Sequence, residues 1–255
     1  MNILSGFADV SLAQLLLVAG VALFASVVGG LAGYGTGALM PLVLVPLIGA
    51  EPVVPIIAIS AIFTNISRFV AYFRYADRRR ALIVIAAAAL TTALGAYGYT
   101  RLTGAGAALV IGTMLIFSVP LRRLAKRRDV RIGDNGLAAS AFGYGVVVGG
   151  TSGSGVILLS LLMAVGLEGA AVIATDAVIS VATGIIKISV FGLAGVVTAQ
   201  VLAFAVLIGV IALPGAFLAK AFVERMPVHI HTAILDAAVI TGGVVMISSA
   251  ARTLL

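Results

Sequence analysis

Gly29-Gly30-Leu31-Ala32-Gly33-Tyr34-Gly35-Thr36-Gly37 is a glycine cluster set between two apolar runs, and Gly149-Gly150-Thr151-Ser152-Gly153-Ser154-Gly155 is its second copy. At one constant offset Gly29, Gly30, Gly33 and Gly35 fall on Gly149, Gly150, Gly153 and Gly155. Beyond the next apolar run Gly49 falls on Gly169. The chain therefore reads as an internal duplication, and the cluster is what each copy keeps most plainly.

Around the clusters lies a succession of apolar runs. The first copy gives segments near 11–29, 32–48, 52–72, 81–99 and 105–120; the second gives 137–151, 154–167, 170–190, 196–221 and 231–250. A composition of 62% hydrophobic and 10% charged residues in 255 is far from the roughly 25% charged of soluble domains. Runs of about 15 to 22 residues predict an all-α polytopic membrane protein with about 8–10 transmembrane helices. The absence of period-two alternation argues against a transmembrane barrel. One membrane transport domain over 1–255 is expected, with repeat 1 at 11–120, a basic linker at 121–136 and repeat 2 at 137–252.

The net charge of +7 does not point to nucleic acid, because the bases gather in short loops, as the positive-inside rule requires. Arg74, Arg78, Arg79 and Arg80 follow the third segment. Arg122, Arg123, Lys126, Arg127, Arg128 and Arg131 follow the fifth, and Lys220 and Arg225 flank the loop after the ninth. With those loops in the cytoplasm, the opposite side carries Arg101 and Arg252 as bases, with Glu51 and Glu168 near loop positions. The start of the chain lacks a basic n-region, so 11–28 reads as a retained span of an inner-membrane, multi-pass protein. Five segments per copy is an odd number, so the repeats are expected to be inverted about an axis in the membrane plane. The pair flanking Gly149–Gly155 is short enough to be a re-entrant hairpin, and that substitution leaves the parity odd.

Gly-interrupted, short apolar segments at matching positions in two halves point to a transporter binding site. Glycine lets the backbone leave the helix and approach a ligand closely. The bare amides of a helix N-terminus then favour an anion. Close helix packing through Gly29-x-x-x-Gly33 and Gly149-x-x-x-Gly153 is the plainer alternative. Hydroxyls at Thr36, Thr151, Ser152 and Ser154 exceed what packing needs, so Gly33, Tyr34, Gly35, Gly153 and Gly155 join them as substrate-binding candidates.

Two copies of a Gly-Gly-x-x-Gly-x-Gly segment, each followed by an apolar run and a small-residue helix with a Thr, resemble the TauE/SafE sulfite exporter family. That family lies within the group of 4-toluene sulfonate uptake permeases. The resemblance runs from about Leu15 to Ala250. It implies secondary transport of a small sulfur-containing or organic anion such as sulfite, a sulfonate or sulfoacetate. Pro41 fits the family pattern, whereas Leu161 takes its place in the second copy.

With the offset one residue shorter, Thr64 meets Thr183 and Arg68 meets Lys187, so a cation recurs four residues after a threonine. Asp176, Ser180, Thr183 and Lys187 form one polar stripe on a helix, and Asn65 is the extra amide of the first copy. Ionisable groups at membrane depth default to functional hypotheses. Arg68 and Lys187 are therefore the cations expected near an anion, and Asp176, which Ile57 replaces in the first copy, is the candidate coupling carboxylate. The plainer alternatives are snorkelling of Arg68 and Lys187 to the interfaces and a capping role for Thr175 and Asp176. Asp236 follows the last basic loop, and His229 and His231 within it make a weak metal signal. No metal site, cofactor motif or Walker motif is expected, and the chain has no cysteine. The leading expectation is alternating access by a carrier, with a proton or a sodium ion as coupling ion and homodimerisation left open. An anion channel with the same glycine-lined path and a membrane-embedded lipid enzyme are the competing readings.

Overall fold

A computed structural model describes residues 3–8, 10–32, 35–127, 131–215, 217–218 and 228–254. Among these there are only helices. After a 3-10 turn at Ile3–Phe7 come α1 (Leu12–Ala32), α2 (Thr36–Ile48), α3 (Val53–Tyr72), α4 (Arg78–Tyr99) and α5 (Gly104–Arg127). The second half supplies α6 (Asp134–Gly150), α7 (Gly155–Ala164), α8 (Gly169–Leu193), α9 (Ala199–Ala212) and α10 (Val228–Leu254). Five of them, α1, α3, α4, α5 and α8, contain stretches long and apolar enough to cross a membrane. At 1.5 Å per residue α2, with 13 residues, and α7, with 10, reach only about 20 Å and 15 Å.

These short helices are return limbs. The backbone N–H of Ile132, just before α6, donates to the carbonyl of Ala164 at the end of α7 over 3.0 Å, so this hairpin opens toward one end of the molecule. Arg79 pairs with Asp134 at that end, and the Asp77 N–H donates to Thr175 Oγ1 over 2.9 Å. The opposite end gathers Tyr99, whose hydroxyl donates to the Ala50 carbonyl and whose ring meets Phe191 edge-on. Phe7, ahead of α1, packs on Phe204 of α9. The hairpin of α1 and α2 therefore opens toward the Tyr99 end and that of α6 and α7 toward the basic end.

This places the loop holding Glu168 on the basic side, not across from it, because α6 and α7 together bring the chain back to the end it left. Three further expectations shift. The break in the first hairpin falls after Ala32, not near residue 30. Positions 122, 123, 126 and 127 continue α5 instead of forming a loop. Since α8 begins at Gly169, Thr175 and Asp176 are too deep in it to be caps. Lys220 and Arg225, with Gly33 and Tyr34, lie outside the described residues, as do the side chains of His229, His231 and Asp236.

The apolar core is in two parts. One joins residues of α4, α6, α7 and α8, including Val84, Ala88, Leu137, Leu158, Leu162 and Ile179. The other is drawn mainly from α1, α2, α3 and α9, with α5 and α10 against it. Helices α4 and α9 are thus exchanged between the halves of the sequence. Packing of α4 on α6 is close enough that a Cβ on Gly145 would lie 2.6 Å from the Ala88 carbonyl oxygen, and one on Gly149 2.8 Å from the Ala96 nitrogen. These glycines are small-residue contacts between helices.

Candidate functional site

Between the two cores lies a cavity of about 140 Å³. That is room for a small anion with some hydration. The hairpin tips meet here. A Cβ on Gly37 would lie 2.9 Å from the Gly153 nitrogen, and one on Gly153, at φ +79°, 3.3 Å from the Gly37 oxygen. Only glycine allows backbones this near, and at Gly153 only glycine adopts the dihedral without strain. Pro41 supplies no N–H to the Gly37 carbonyl four residues before it, so that oxygen is left without a helical partner at the point of contact. Leu161 leaves no such gap in α7.

Both short helices begin in this cavity. Gly35 precedes α2 and Ser154 precedes α7, and neither N-terminus has a side-chain cap. Thr36, Gly37, Ser154 and Gly155 line the cavity together with Thr151, Ser152 and Gly153. First-turn amides of a helix lack intrahelical acceptors and carry its positive end. Ser152 Oγ is buried and has no hydrogen-bond partner among the described residues.

Helices α3 and α8 cross beside the tips. From α3 come Thr64, Asn65 and Arg68, and from α8 Asp176, Ser180, Thr183 and Lys187, all of them lining the cavity. Arg68 and Lys187 are 8% and 6% exposed, so neither snorkels to an interface. Lys187 Nζ donates to the Thr151 carbonyl over 3.0 Å, holding the end of α6. Arg68 instead turns toward carboxylate: its Nη2 lies 2.8 Å from Asp176 Oδ2 and also donates to Asn65 Oδ1. Asp176 is buried with the Arg68 guanidinium as its charge partner and the Ser180 hydroxyl beside it. Thr64 donates to the Ala61 carbonyl and Thr183 to that of Ile179, which leaves both hydroxyl oxygens, not their protons, on the cavity side.

Every described candidate from the sequence thus lines one cavity. Among the lining residues that the sequence reading did not single out are Tyr144, Ser26 and Gly184. Tyr144 is 3% exposed. It falls on Phe24 at the offset that aligns the glycine clusters, so the second copy carries a hydroxyl where the first has a bare ring. That matched aromatic pair was the available signal. Among the described residues no group of three or more His, Cys, Asp or Glu side chains could hold a metal.

The family model for the sulfite exporter TauE/SafE matches residues 18–246. No curated protein and no solved structure matches the chain. With nine-tenths of its length covered by that model, this multi-pass membrane protein belongs to the TauE/SafE sulfite exporter family, whose members are transporters and not enzymes.

Proposed function

We propose that the protein is a secondary transporter of a small sulfur-containing or organic anion of the sulfite, sulfonate or sulfoacetate type, working by alternating access in the cell's inner membrane. The observation that carries this reading is the convergence of two uncapped helix N-termini on one cavity that also holds Lys187. Broken backbone is tolerated at membrane depth where it lines such a cavity. Amides and a cation there replace the water that an anion gives up.

The packing supports two inverted repeats. Exchange each helix for the one five places along, and α4 on α6 becomes α9 on α1, while α4 on α8 becomes α9 on α3. The contacts of α2 with α3 and α10 become those of α7 with α8 and α5, and α3 on α8 and α5 on α10 return to themselves. All of these contacts exist. The bodies that rock are then the two cores with their exchanged helices, not the halves of the sequence.

The test is flux of labelled sulfite in vesicles containing the purified protein. A carrier gives saturating uptake that unlabelled sulfite on the far side accelerates. Unsaturable flux with large single-channel currents would replace the carrier by a channel.

A further inference from the structure

We infer that the Arg68–Asp176 pair sets the charge of the cargo: the cavity takes a monoanion as it stands, and a dianion only together with one proton on Asp176. This rests on the transporter reading above and deepens it. Among the described residues the charged side chains lining the cavity are Arg68, Asp176 and Lys187. Arg68 and Asp176 lie 2.8 Å apart and cancel. Lys187 bonds a carbonyl, not a carboxylate. One positive charge is left to be balanced by whatever enters.

Uncompensated charge in such a place is costly, so the total in the cavity is driven toward zero. A monoanion beside Lys187 achieves this. A dianion does not, unless a second positive charge is released. Protonating Asp176 releases it, because Arg68 then faces the cavity without its carboxylate. The anion takes the place of Oδ2 on a guanidinium that is already formed, and no bond but the O–H of Asp176 is made. The two cations occupy one equivalent position in the α3 and α8 alignment, one toward each hairpin's open end, so a dianion has a positive group on either side.

Among the described residues the surroundings of Asp176 contain no other titratable group that would do this. From α3 only Arg68 faces it, and from α6 the cavity-lining Tyr144. The start of α4 presents the Asp77 N–H to neighbouring Thr175, while Arg79 and Arg80 are engaged by Asp134 and Asp77. Arg74, in the 3-10 turn after α3, is exposed and lies over Phe73. Helix α7 has no titratable residue, and Lys187 is three turns along α8 itself.

The experiment measures inhibition of labelled sulfite flux by methanesulfonate, a monoanion, and by sulfoacetate, a dianion, in vesicles with the full-length protein. Working between about pH 6 and pH 9 keeps both probes fully ionised, above the range of simple carboxylates. The ratio of the two inhibition constants at each pH cancels the speciation of sulfite and any titration of Lys187. In the wild type that ratio shifts toward sulfoacetate by up to about tenfold for each unit of falling pH, the mark of one linked proton. In Asp176→Asn the ratio no longer depends on pH and favours sulfoacetate throughout. Should Asp176→Asn not fold, Arg68→Gln/Asp176→Asn removes both charges together; it keeps a pH-independent preference for methanesulfonate. A flat ratio in the wild type, no inhibition by sulfoacetate at the acid end, or a pH response surviving in either variant overturns the inference. If sulfite itself does not move, the transporter reading falls and this falls with it.

Discussion

Lys187 and Arg68 stand at matched positions, four residues after Thr183 and Thr64, yet one grips a carbonyl and the other a carboxylate. The difference follows from Asp176, which the first copy lacks. Because Arg68 is engaged, Lys187 is the cation that the proposed anion site would use most directly. A charge-assisted hydrogen bond is worth about 1.5–3 kcal/mol, so Lys187→Ala should weaken sulfite binding by roughly ten- to a hundredfold in a calorimetric titration. Its thermal midpoint should move by only a few degrees, since one carbonyl at the end of α6 loses a donor. Unchanged affinity would reduce Lys187 to a clamp on α6. The recurrence of the two cations was legible from the internal alignment alone. Their partners were not. Arg68 lies in the last turns of α3 and Asp176 in the second turn of α8, and only the crossing of those helices brings them together.

The glycines of each cluster divide their work by element. Gly149 faces α4, where a Cβ would press on Ala96, while Gly153 faces the tip of the other hairpin with φ +79°. Spacing alone could not separate these duties, because both glycines belong to one small-x-x-x-small pair. The shortness of the segments could be read directly, since about 15 residues do not span a bilayer, but the sequence left the hairpin and a turn between two spans as alternatives. Gly149→Val overpacks the α4–α6 contact and should cost about 1–3 kcal/mol of stability, seen as a lower unfolding temperature in detergent. Gly153→Leu should leave membrane insertion and most of the stability in place but abolish sulfite flux, because the side chain fills the point where Gly37 and Gly153 meet. Normal flux in Gly153→Leu would remove the tips from the transport path. Gly33→Leu, at the glycine that matches Gly153 in the first copy, is expected to abolish flux as well.

At the scale of the whole molecule the two hairpins open toward opposite ends, and this sets which loops share a side. The chain contains no cysteine, so single introduced cysteines report their own position without a background. Gly133, before α6, and Gly166, after α7, are exposed and belong to the end where Ile132 bonds Ala164. Gly49, after α2, and Gly195, after α8, are exposed at the end marked by Tyr99, Ala50 and Phe191. An impermeant thiol reagent applied from one face of sealed vesicles should label Gly133→Cys and Gly166→Cys together, and Gly49→Cys and Gly195→Cys only from the other face. The bases around Arg78 and Arg131 assign the first pair to the cytoplasm by the positive-inside rule. Ten full crossings would give these four positions the same faces, since α6 and α7 together return the chain to the side it left; they would differ in carrying the turn between α6 and α7 out to the face of Gly49. Labelling of Ser152→Cys, at that turn and buried in the structure, as fast as Gly49→Cys from that face would therefore break the hairpin, the opposed N-termini and the anion site built on them in one measurement.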